Sequence, residues 1–95
     1  MATIEVRRSH NLSTEDARGR AEELAKSLEA KLGLKWKWDG DHLVFSAPSG
    51  PAKGTEGTVE VSKTDVAVKI DLPFMLRMIK GKIEAKVVEK LDKLL

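Results

Sequence analysis

Residues 72–95 read LPFMLRMIKGKIEAKVVEKLDKLL. Within them Leu76, Ile79, Ile83, Val87, Leu91 and Leu94 stand three or four positions apart, the spacing of one apolar stripe on a helix of about 3.6 residues per turn. Lys80, Lys82, Lys86, Lys90 and Lys93, with Glu84, Glu89 and Asp92, mostly take the other face. A stripe of that length requires an apolar surface to lie on. The remainder of the chain offers short segments of period-two alternation, so this feature points to a sheet with a helix laid across it. Gly81 costs about 1 kcal/mol relative to alanine inside a helix. That places the regular start near Ile79 and makes residues 74–78 an irregular lead-in.

The alternating segments and a second helix follow from local pattern. Ile4 and Val6 face one way and Glu5 and Arg7 the other, a half-buried strand over residues 3–8. Ser13 is a good N-cap, with Asp16 placed to close a variant of the capping box and Leu12 and Ala17 placed as a hydrophobic staple. Ala17, Ala21, Leu24, Ala25, Leu28 and Leu32 form the buried stripe of a helix over residues 14–32. Gly33 is placed to end it in the left-handed conformation. Leu34, Trp36 and Trp38 then alternate with lysines, and Leu43, Phe45 and Ala47 resume the pattern after Asp39-Gly40-Asp41. A loop at Gly40-Asp41 sets Trp38 against Leu43, Trp36 against Phe45 and Leu34 against Ala47, all on the buried face. An Asp39-Gly40 loop is the usual type I′ choice, but it would set Trp38 against Asp41, and packing favours the first register.

Residues 48–57, PSGPAKGTEG, carry two prolines and three glycines without periodicity. They read as a connection within the domain and as its most mobile part. A second hairpin turns at Lys63-Thr64, with strands over residues 58–62 and 65–72. Val59 and Val61 face Val68 and Val66, Ile70 and Leu72 continue that face, and Pro73 ends the strand. The order is β-α-β-β-β-β-α. Strands with one polar face imply an antiparallel sheet covered on one side. The expected fold class is α+β: two layers, a sheet of about five strands with two helices on one face. The first strand is expected to pair with the last.

At 95 residues the chain makes one domain, 1–95. A domain of this size buries roughly 60–65% of the surface its unfolded chain exposes, enough for one core layer and too little for a deep enclosed active site besides. There are no cysteines, which excludes disulfides, thiolate nucleophiles and cysteine metal sites. No apolar run approaches the ~18–20 residues of a transmembrane segment. The opening MATIEVRRSH has no apolar core of a signal peptide, so a cytoplasmic location is expected. The net charge of +2 does not by itself argue for a polyanion partner.

Few residues suggest chemistry. His42, near Asp39 and Asp41, invites a metal reading, but no second ligand cluster has a recognised spacing and a polar hairpin turn accounts for it. His10 beside Arg7 and Arg8 could contact an anion, although a residue at a strand end more often caps or packs. Trp36 and Trp38 are interleaved with Lys35 and Lys37, yet rings and charges alternate to opposite faces. Core packing is therefore expected for the tryptophans, and no nucleic-acid partner. There is no phosphate loop and no serine elbow, and the carboxylates read as solvated or as helix pairs such as Glu22–Lys26 and Glu89–Lys93. No catalytic residue, metal or cofactor is expected, and the protein reads as no enzyme.

The informative excess is residues 70–79, IDLPFMLRMI, broken only by Asp71 and Arg77. Phe74, Met75 and Met78 cannot all share the stripe of Leu76 and Ile79. Either they pack in a corner between strand and helix, or they form an exposed patch or the mouth of a groove.

Several stretches resemble one bacterial family, the polyhydroxyalkanoic acid system proteins. They are IEVRRSHNL, AEELAKSLEAKLG, LKWKWDGDHLVFSA, GTVEV and the C-terminal stretch. The most specific pieces are His10-x-Leu12, the Trp38-Asp39-Gly40-Asp41 turn with Phe45, and Ile83…Leu91-Asp92. None is a catalytic motif. The resemblance implies an accessory role in polyhydroxyalkanoate storage, the family being named for genes near those of polyester granules. Two readings follow. In the first, Phe74, Met75 and Met78, rimmed by Arg77, Lys80 and Lys82, touch the granule surface or a granule protein, and the same corner could equally form a homodimer. In the second, Trp36, Phe45, Val68 and Ile83 line a pocket between the sheet and the C-terminal helix for a lipid or hydroxy acid.

Overall fold

The computed structural model describes residues 3–50 and 53–95, with every side chain among them except that of Leu32. The centre of the 48–57 connection and the place of Leu32 in its stripe lie outside the described residues. The elements run β1 (Ile4–Ser9), α1 (Thr14–Leu32), β2 (Lys35–Asp39), β3 (His42–Ser46), β4 (Glu56–Val61), β5 (Asp65–Asp71), a 3₁₀ segment (Phe74–Ile79) and α2 (Lys80–Leu94). The five strands form one antiparallel sheet in the order β1-β5-β4-β3-β2. This is the expected α+β fold. The topology has a simple cause. Strands β2 to β5 are successive neighbours, and α1 carries the chain from β1 at one edge to β2 at the other. The first strand does pair with the last, Val6 opposite Val68 and Ile4 opposite Ile70, and so becomes an edge itself.

Local signals act as their chemistry predicts. Ser13 Oγ accepts the Asp16 amide at 3.1 Å and opens α1. Gly33, with φ 70°, closes it and donates its amide to the Glu29 carbonyl. The first hairpin takes the Gly40-Asp41 register, Trp38 opposite Leu43 and Trp36 opposite Phe45. The second sets Val59 opposite Val68 and Val61 opposite Val66. At its turn Ser62 Oγ accepts the Asp65 amide at 3.0 Å.

Both helices share one core with one face of the sheet. Ile4, Leu43, Phe45, Val59, Val66 and Val68 from the strands, Leu24 from α1, and Val87 and Leu91 from α2 are essentially inaccessible to water. The opposite face carries Glu5, Arg7, Lys35, Lys37, Glu56, Glu60 and Asp71, all exposed. Alternation of side chains along each strand produces this division.

Three expectations are corrected. Strand β4 begins at Glu56, so Glu56 and Gly57 belong to the sheet, opposite Asp71 and Ile70. Gly57 reads as a loop residue only because it lacks a side chain. Ile79 leaves the apolar stripe and is 41% exposed. Its backbone, at φ −111° and ψ 20°, interrupts the helix between the 3₁₀ segment and α2, and that break resets the phase, so the stripe of α2 begins at Ile83. Finally, Glu22 is not engaged with Lys26; its carboxylate accepts the indole N–H of Trp38 at 2.6 Å.

Candidate functional site

Proline 73 cannot extend the β5 ladder, and its extended backbone (φ −64°, ψ 158°) turns the chain into the 3₁₀ segment. The Leu76 amide donates to the Pro73 carbonyl at 2.9 Å, and Arg77 Nε donates to the Leu72 carbonyl at 3.3 Å. Leu76 packs against the core edge. With that side chain turned inward, Phe74, Met75 and Met78 turn outward, and they are 82, 83 and 90% exposed. Arg77, Lys80 and Lys82, beside them in the chain, are also exposed. The result is an apolar projection with a basic rim at the corner between sheet and helices.

A concavity lies between the helices. It is a groove of about 360 Å³ lined by Leu24, Ser27, Leu28 and Lys31 of α1 and by Ile83, Lys86 and Lys90 of α2. Of the proposed pocket residues, Ile83 lines this groove. Phe45 and Val68 are buried in the core, and Trp36 is half-buried against it. The groove residues from α1 were not legible as a site. Their only signal is a stripe whose last turn holds Lys31.

His10, Arg7 and Arg8 do not converge on a common anion. Arg7 points to the open face and pairs with Asp65 at 3.6 Å. Arg8 points to the helix side, where its Nε donates to Asp92 of α2 at 2.9 Å. His10 is buried at the end of β1. Its Nε2 lies 2.8 Å from the Ser62 carbonyl, and its Nδ1 lies 3.1 Å from the Leu12 amide. An amide can only donate, so Nδ1 is the acceptor and Nε2–H donates to Ser62. Thus His10 ties β1, the α1 lead-in and the β4–β5 turn together.

The tryptophans latch α1 onto edge strand β2. Trp38 donates to Glu22, and Trp36 donates to Glu29 at 3.3 Å. The Arg18 guanidinium sits 4.2 Å over the Trp38 ring. Lys35 and Lys37 point the other way and are exposed. His42 faces Asp39 across the hairpin turn at 3.8 Å. Among the described residues, no group of three or more His, Asp or Glu side chains is placed to hold a metal ion. Nor, among those residues, is any helix long and apolar enough to cross a membrane.

No curated protein and no solved structure matches the chain. The profile of one family does, over residues 4–95. That span takes in β1, both helices, the whole sheet and the exposed corner, and on it the chain belongs to the family described as putative polyhydroxyalkanoic acid system proteins.

Proposed function

We propose that this protein is a non-enzymatic accessory component of bacterial polyhydroxyalkanoate storage that docks in the cytoplasm on the apolar surface of a polyester granule. The observation that carries the reading is the exposure of Phe74, Met75 and Met78 on one short 3₁₀ segment. Burying a side chain of that size is worth roughly 1.5–3 kcal/mol, so three on one projection make an anchor of useful strength. The rim of Arg77, Lys80 and Lys82 supplies the electrostatic part of interfacial attachment. Family membership supplies the context, and the apolar corner supplies the means.

Sedimentation with purified granules tests it. The protein is expected in the granule pellet, and Phe74→Asp with Met75→Asp is expected in the supernatant with its far-UV spectrum unchanged. A double variant that still cosediments would remove the corner from the contact. A stable dimer by light scattering that ignores granules would assign the same surface to self-association.

A further inference from the structure

We propose that the groove between α1 and α2 binds a single-chain anionic amphiphile, with its alkyl chain along Leu24, Leu28 and Ile83 and its carboxylate among Lys31, Lys86 and Lys90. The groove has two unlike halves. Its floor is apolar side chain. Three lysines from two different helices also line the groove, and among the described residues none of the three has a carboxylate within 4.0 Å. Neighbouring Lys93 does have one, Glu89 at 3.3 Å. The same three lysines also line an adjoining concavity with Glu89 and Lys93; cations outnumber the one carboxylate there, so an anion among the lysines is attracted. The chain as a whole carries only +2, so this is a local concentration of charge.

The two halves together select the ligand class. Inorganic phosphate would satisfy the lysines and leave the floor bare. A neutral lipid would cover the floor and leave the lysines unpaired. The groove encloses about 360 Å³. That volume sits at the lower end of the ~300–1,000 Å³ typical of small-molecule sites and suits one alkyl chain. The site is separate from the granule-docking corner, and either can fail without the other.

The test is a titration of the ¹⁵N-labelled protein with decanoate, kept below micelle formation and without granules. Saturable shifts are expected at the Ser27, Lys31, Ile83 and Lys90 amides. Lys86→Glu with Lys90→Glu, both on the helix surface, should keep the spectral fingerprint of the fold and lose affinity by ~10-fold or more. Lys31→Ala offers a second, milder variant with a smaller loss in the same direction. Decyltrimethylammonium and inorganic phosphate should each bind more weakly than decanoate. The proposal is overturned if decanoate gives no saturable shift, if the shifts map to residues 74–79, if the charge-reversed variant binds as tightly, or if either control matches decanoate.

Discussion

The ring of Phe45 lies directly over Gly57, its partner across the β3–β4 ladder. A Cβ on Gly57 would come within 2.7 Å of Phe45 Cε2 and 2.6 Å of the Lys69 carbonyl oxygen. Glycine in a strand ordinarily weakens it. Here the absence of a side chain is what lets the largest fully buried residue of the core close down on the sheet.

Gly57→Ala should therefore destabilise the fold. Overpacking of this kind costs about 1–3 kcal/mol, and a domain of this size loses roughly 4–8 °C of Tm per kcal/mol. Thermal unfolding followed by circular dichroism is expected to show a fall of about 10 °C. An unchanged Tm would mean that Phe45 has room to retreat.

His10 joins three segments through its ring and through its backbone amide, which donates to the Thr64 carbonyl at 2.8 Å. His10→Ala strands the Ser62 carbonyl and the Leu12 amide and should cost about 2 kcal/mol in urea unfolding. His10→Asn should cost less, because an Asn side-chain oxygen can accept an amide two residues on. Long-range ¹⁵N spectra of the ring should show the Nε2–H tautomer. A ring protonated on Nδ1 alone would contradict the Leu12 contact.

Glu22 and Glu29 hold Trp38 and Trp36 at unequal strength. The Trp38 bond is 2.6 Å and partly buried, and that of Trp36 is 3.3 Å and exposed. Glu22→Ala is expected to cost about 1 kcal/mol and to shift tryptophan emission to the red. Glu29→Ala should stay within about 0.5 kcal/mol of the parent, as surface changes usually do. Equal effects would show that helix propensity, and not the indole bonds, is being measured.

Replacing Phe74, Met75 and Met78 together by serine should leave unfolding within about 0.5 kcal/mol of the parent, because these side chains contribute little to the core. Denaturant titration checks this. A loss well beyond that bound would show that the corner packs in solution, and it would weaken the docking surface at the same time.

Much of this architecture is determined by the sequence alone. Side chains in a strand alternate with a period of two, so once the Gly40-Asp41 and Lys63-Thr64 turns are placed, the facing of Trp36 on Phe45 and of Val59 on Val68 follows. Ser13 and Gly33 bound α1 by chemistry confined to their own neighbours. What only the tertiary structure decided is which surface covers each face. Periodicity told that Phe74, Met75 and Met78 could not all share a stripe, but their exposure depends on Leu76 alone turning inward where Ile79 breaks the helix. The meeting of Lys31 with Lys86 and Lys90 depends on two helices lying side by side on one sheet. Gly57 reads as loop on its own and is a strand residue because Phe45 of the neighbouring strand closes over it. The physical reason is the same in each case: local pattern records how a residue sits on its own element, and the neighbour that meets it is chosen by packing between elements distant in the chain.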